Sequence, residues 1–204
     1  MIASKPSPYL SPEQYLALEE TSPVKHEYID GEIHAMAGAT DAHVTLTGNL
    51  FAELLSHLRG SGCRVYFSDM KAQIDAINRY YYPDVMVTCD KKDQNEQTFK
   101  RHPVLIVEVL SDSTTGFDRG DKFADYQTLD SLQEYVLGNT HRQRVECFRR
   151  NAKGLWVLQS YSPPETHFEL KSVDFRGELT ALYENVTVKT RSSIEKRFDP
   201  SSSD

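Results

Sequence analysis

Residues 104–110 read VLIVEVL, an apolar run interrupted by one carboxylate, Glu108. A run this apolar predicts a strand covered on both faces, as in the middle of a sheet flanked by helices. An unpaired carboxylate buried there costs several kcal/mol unless a cation or hydrogen bonds compensate. Glu108 therefore requires a positive partner. That partner is either a structural Arg or Lys, or a metal ion at an active site.

A second carboxylate stands in a similar position. In YYYPDVMVTCD (residues 80–90), Pro83 suits the start of a strand and Val85, Met86 and Val87 continue it as a buried one. Asp84 then lies at the mouth of that strand. After the Glu108 strand, SDSTTG is a turn-rich loop, and a helix is expected from about Phe117 or Asp118 to Leu129. Asp118, Lys122 and Tyr126 are spaced four apart and share one side of it. Lys122 either pairs with Asp118 at the surface or reaches back across the sheet to the carboxylates.

The N-terminal third supplies two more polar candidates. Ser11-Pro12-Glu13 opens a short helix through about Glu20, with Ser11 as N-cap and Tyr15, Leu16 and Leu18 on its apolar side. Asp30-Gly31 joins two strands as a tight hairpin. Glu27 shares a strand face with Ile29, so it is either an exposed strand residue or part of a site. Thr40 or Asp41 caps a helix to about Arg59, with an apolar stripe of Val44, Thr47, Phe51, Leu54, Leu55 and Leu58. His43 sits in its first turn, either as a capping or partly buried residue or as a group facing a site. Gly60 and Gly62 end the helix.

Residues 64–69 and 71–77 alternate as strands, and Lys91–Lys100 is polar enough for an exposed loop. Residues 132–138 form another buried strand; 142–150 and 155–161 form a hairpin. The span 141–153 is locally basic, through Arg142, Arg144, Arg149, Arg150 and Lys153. It is either a solvated sheet edge or a phosphate-contacting patch. Further strands are expected near 166–170 and 179–182. The whole reads as one domain over 1–204: an extended arm over 1–11, a core over about 12–160, and peripheral strands with a polar tail over 161–204.

Composition limits the function classes. The net charge of −7 argues against tight non-specific wrapping of nucleic acid. It leaves room for an enzyme that meets DNA with one basic face, because a carboxylate metal site is acidic until its ion binds. No window is long and apolar enough to cross a membrane, and residues 1–14 lack a signal-peptide core, so the cytoplasm is the expected location. Cys63, Cys89 and Cys147 are odd in number and far apart, with no C-x-x-C pair. Neither a disulfide framework nor a zinc site is expected.

Two carboxylates on neighbouring strands can hold a hard cation such as Mg²⁺, with water and a substrate phosphate oxygen completing the shell. A nearby ammonium can orient or help deprotonate an attacking water, and burial can lower its pKa. Asp84, Glu108 and Lys122 are thus the parts for phosphodiester hydrolysis, with Asp84 and Glu108 on the metal.

Pro83-Asp84 at one strand and Glu108 on the next resemble the PD-(D/E)xK nuclease core. The phrases HEYIDGEIHAMAG, YYPDVMV, PVLIVEVLSDST and DKFADYQTL more closely resemble the Uma-two family of restriction-endonuclease-like proteins, over about residues 12–160. The resemblance implies an α/β (mixed α+β) restriction-endonuclease-like fold, a mixed central sheet flanked by helices. It implies a DNA endonuclease using Mg²⁺, with Mn²⁺ able to substitute, and a possible homodimer. The superfamily's usual lysine two residues after the glutamate would be position 110, which is Leu110. The family places it on the next helix, which implies Lys122. Glu27 and His43 lie in family-like segments and are carried as further members of the site. Two other readings stay open: a catalytically inactive nuclease-fold module binding nucleic acid or a protein, and an interaction protein in which an Arg neutralises Glu108.

Overall fold

A computed structural model describes residues 9–188. Most of the N-terminal arm and the polar tail from residue 189 lie outside the described residues. Helix α1 spans Pro12–Thr21, and its start is a capping box: the Ser11 side chain accepts from the Gln14 N–H while Gln14 accepts from the Ser11 N–H. Strands β1 (His26–Ile29) and β2 (Glu32–Ala35) are joined by Asp30-Gly31, both at positive φ (44° and 98°), as a two-residue hairpin of this twist requires. Helix α2, Asp41–His57, is capped by the Thr40 side chain.

Four short strands follow: β3 (Arg64–Phe67), β4 (Lys71–Ile74), β5 (Arg79–Tyr81) and β6 (Val85–Thr88). Then come β7 (Phe99–Lys100) and the long β8 (Pro103–Leu110). Helices α3 (Thr115–Arg119) and α4 (Asp121–Tyr126) lead to β9 (Glu134–Asn139), β10 (Val145–Arg150) and β11 (Trp156–Tyr161). The chain closes with β12 (His167–Leu170), β13 (Phe175–Glu178) and α5 (Leu179–Leu182).

The strands form a six-stranded mixed sheet, β11-β10-β9-β8-β6-β3, and a five-stranded sheet, β2-β1-β5-β4-β7; β12 and β13 pair separately. β8 is central, antiparallel to β6 and parallel to β9 through the α3–α4 crossover. Its two faces feed two cores. Leu105, Val107 and Val109 pack with Leu46, Leu50 and Leu54 of α2, whereas Ile106 and Leu110 pack with Phe123, Tyr126 and Tyr135. Glu108 shares the second face by alternation.

Several expectations are corrected. On α2 the buried stripe is Leu46, Thr47, Leu50 and Leu54; Val44 and Leu55 are exposed. The stripe is rotated because α2 packs against β8 and the C-terminal hairpin together. Lys91–Lys100 is not simply an exposed loop. Asp93 is buried, accepting from Thr88 Oγ1 and the N–H groups of Arg101 and His102, and the Lys100 ammonium donates to the Asp93 and Glu96 carbonyls. The single helix expected after Glu108 is two, because Gly120 leaves helical dihedrals (φ −111°, ψ −103°). Residues 179–182 form α5 rather than a strand. The segment after 160 is not peripheral: Phe168, Leu170, Phe175, Leu179 and Leu182 sit in the α2-side core.

The cysteine expectation is overturned as well. Cys63 and Cys89 form a disulfide. The β3–β6 register, in which Arg64 faces Thr88, puts them directly opposite each other one step further on. Cross-strand proximity, invisible in the linear spacing, makes the pair. Cys147 is free and buried.

Candidate active site

Strand β8 carries Glu108 to the interior, and the β6–β8 register (Val85 opposite Val107) sets Asp84 beside it, one step past the last pair. Asp84 is held from two sides. Its Oδ2 accepts the Val109 N–H at 2.6 Å, and its Oδ1 lies 2.8 Å from His43 Nε2. Thr40 caps α2 so that His43 points from its first turn at this carboxylate.

Lys122 occupies the centre. Helix α4 is buried on most of its surface, with Lys122, Phe123, Asp125 and Tyr126 all inside. The break at Gly120 lets α4 lie between the two sheets, which excludes the surface pairing with Asp118 as the main role of Lys122. Its Nζ is 3.0 Å from Glu108 Oε1 and 2.8 Å from Glu27 Oε1, with Asp118 Oδ1 at 3.9 Å. Glu27 arrives from β1, so the lysine joins one sheet to the other. The partner that Glu108 requires is this lysine; the reading in which an Arg neutralises it does not hold. Tyr126 donates its hydroxyl to Glu108 Oε1 at 3.3 Å, and the Tyr81 ring centroid lies 5.3 Å from the ammonium.

The charge balance is uneven. Burial pushes Glu108 well above the usual carboxylate range; Lys122 pulls it back, while Asp118, Asp84 and Glu27 push it further up. Asp118 is likewise raised by burial, against the pull of Lys122 and a Thr114 hydrogen bond. For Lys122, burial alone would lower the pKa, but Glu108, Glu27 and Asp118 together hold it above the ordinary lysine value. This corrects the expectation of a lysine made basic by burial: three surrounding carboxylates keep it an ammonium. His43 follows the same pattern, with burial opposing its charge and Asp84 raising its pKa.

Four carboxylates, Glu27, Asp84, Glu108 and Asp118, thus crowd one ammonium and one imidazole. Hard oxygen donors in negative excess fit a divalent cation of the Mg²⁺ class. Among the described residues no cluster of three or more His, Cys, Asp or Glu closes as a ready cage. Mg²⁺ does not need one, because it is commonly held by one or two carboxylates, water and substrate phosphate.

The structure brings Glu27, His43, Asp84, Glu108 and Lys122 together. Asp118 and Tyr126 complete the cluster; their four-residue spacing from Lys122 is the sequence signal, which marks Asp118 as a surface ion-pair partner of Lys122 and Tyr126 only as a neighbour on the same helix side. The basic span 141–153 is largely occupied elsewhere. Arg144 pairs with Glu146, Arg149 with Glu134, and Arg150 donates to backbone carbonyls of Leu129 and Asp130.

Known proteins resemble this chain in sequence and in fold. The family model Uma2, described as "Putative restriction endonuclease", matches residues 12–180. Two proteins of Synechocystis sp. (strain ATCC 27184 / PCC 6803 / Kazusa) are similar, and both are named as uncharacterized. The protein slr1290 is 39% identical over 186 residues, 90% of this chain and 97% of its own length. The protein sll1609 is 39% identical over 151 residues, 73% and 85% of the two chains. A crystal structure described as a putative nuclease belonging to DUF820, from Anabaena variabilis ATCC 29413, superposes with a TM-score of 0.71. It covers 87% of this chain and 99% of that one at 16% identity, a likeness of fold.

Proposed function

The chain belongs to the Uma2 family, and from that premise we propose that it is a metal-dependent endonuclease that hydrolyses phosphodiester bonds in DNA. The observation that carries the reading is the buried meeting of Lys122 with Glu108 and Glu27, beside Asp84, in a cluster with more carboxylates than cations.

Asp84 and Glu108 would hold Mg²⁺, with Mn²⁺ able to replace it. The bound ion supplies positive charge against the charge developing on the phosphate and makes water more acidic. The chain's own groups do the rest. Val109 N–H and His43 fix the Asp84 carboxylate in place. Tyr126 fixes Glu108. Lys122, kept protonated by its carboxylate neighbours, presents an ammonium that orients the attacking water and stabilises negative charge on the phosphoryl oxygens. Its place on α4 substitutes for a lysine at position 110, where Leu110 packs into the core.

The test is a titration of Mg²⁺ and Mn²⁺ into the parent protein and the Asp84→Ala/Glu108→Ala double variant, with supercoiled plasmid present and nicking read on a gel. Metal-dependent nicking by the parent and its loss in the variant are expected. Equal nicking by both sinks the assignment. Leu110 motivates a second reading, a nuclease-fold module that binds nucleic acid or a protein without cutting. It requires calorimetry to show no Mg²⁺ or Mn²⁺ binding while DNA binding persists.

A further inference from the structure

Tyr82, just past the end of β5, is the hub of a second polar cluster. Its hydroxyl donates to Glu19 at 2.6 Å, and the same carboxylate engages His26 Nδ1 at 2.8 Å, so the ring is held in place. Two ammonium groups lie against that ring: Lys71 Nζ at 5.2 Å from its centroid and Lys25 Nζ at 5.8 Å. Lys25 pairs with Asp69 and donates to the Ser68 carbonyl. Both members of that pair are open to solvent, so the pairing is weak and exchangeable.

Lys71 is less well supplied. The residue is 7% exposed, yet among the described residues no carboxylate stands within ion-pair distance of its ammonium. Burial lowers its pKa, against the more distant charges of Glu19 and Glu20. Glu19 is already engaged by Tyr82 and His26. Lys25, held only by the exchangeable Asp69 pair, is the cation free to take a new anion, and Lys71 adds its charge behind it across the same ring.

The position of the pair bears on substrate. Tyr82 is separated from Asp84 only by Pro83, and the Ser68 that accepts from Lys25 gives its own N–H to the Asp84 carbonyl at 3.2 Å. The register puts Lys71 with Tyr28 and Tyr80 on the α1 side of the five-stranded sheet and Glu27 on its other side, so the lysine pair lies at the sheet end that leads into Asp84 and outside the Lys122 cluster.

We propose that Lys25 and Lys71, set against Tyr82, bind a backbone phosphate of the nucleic acid that flanks the cleavage site. This site rests on the nuclease reading above and adds to it where the strand runs.

The test uses the full chain in EDTA, so that nothing is cut, with short labelled DNA and RNA duplexes whose binding is followed by anisotropy across a salt series. Lys25→Gln and Lys71→Gln are each expected to weaken binding at every sequence and to reduce the slope of log affinity against log salt by about one. Lys153→Gln, an exposed lysine in the β10–β11 turn, should behave as the parent. Metal binding by calorimetry and the melting temperature should not change in Lys25→Gln. Parent-like affinity and slope in Lys25→Gln and Lys71→Gln overturn this site and leave the nuclease reading standing. A parent that binds neither duplex at low salt overturns both. If Lys71→Gln does not fold, the exposed Lys25→Gln decides alone.

Discussion

At the scale of single residues, the candidate site is held in shape by neighbours of its carboxylates. Tyr126 reaches Glu108 with its hydroxyl at 3.3 Å from a buried position. Tyr126→Phe removes one donor from a carboxylate that already faces three others. Its cost in stability is expected near 1 kcal/mol; with Glu108 as the proposed metal ligand, metal affinity, read by calorimetry, should fall about tenfold or more because that carboxylate loses its orienting partner. Unchanged affinity would assign Tyr126 to packing alone. Away from the site, Glu53 on α2 has a buried Oε2 without a hydrogen-bond partner, and burial together with Glu178 raises its pKa above 4.5. A carboxyl raised in the folded state contributes stability that is fully present below the unfolded pKa and is lost as pH rises through the folded one. Glu53→Gln should therefore melt about 1–2 °C higher than the parent at neutral pH. The two curves should converge below about pH 4; a shift of the same size at every pH would mean that titration is not the cause.

At the scale of elements, the β3–β6 edge is closed covalently. The Cys63–Cys89 disulfide spans 26 residues, and a loop of that length predicts stabilisation of about 3 kcal/mol through the unfolded chain. Reduction with dithiothreitol, or Cys63→Ser, is expected to lower the melting temperature by about 6 °C or more. Identical melting of oxidised and reduced protein would show that the bond adds nothing. The break between α3 and α4 is a second feature of this scale. Gly120 is a poor helix former, and the redirected α4 takes Lys122 from the surface of one long helix to the space between the sheets. Without that change of direction, the four-residue spacing of Asp118 and Lys122 would describe an ordinary helix-surface pair.

At the scale of the whole molecule, the C-terminal hairpin and α5 complete the core that α2 begins. Phe168 is fully buried there beside Phe175 and Leu170. Phe168→Ala is expected to cost about 3–5 kcal/mol, measured by urea unfolding. A cost below about 1 kcal/mol would mean that the segment after residue 160 is an accessory. The same packing steadies the site at a distance, because α2 is clamped between β8 and this hairpin while its first turn holds His43 against Asp84. Asn49, also on α2, donates to the carbonyls of Leu182 and Glu184.

Local chemistry was legible from the chain alone. Ser11 and Thr40 as caps, Asp30-Gly31 as a hairpin, and a buried strand around Glu108 each follow from neighbours within a few residues, where sterics and backbone hydrogen bonding act. The family phrases likewise marked Asp84, Glu108 and Lys122 as a set. Tertiary structure alone decided how that set is charged. The pKa of Lys122 depends on Glu27 from a different sheet and on Glu108 from a strand 14 positions earlier. Burial by itself would have lowered it, and only the count of carboxylates around Nζ reverses the sign. The disulfide, the buried Lys100 and the core role of Phe168 share that origin. Each is a contact between segments distant in sequence, set by strand register and sheet packing, on which linear spacing carries no information.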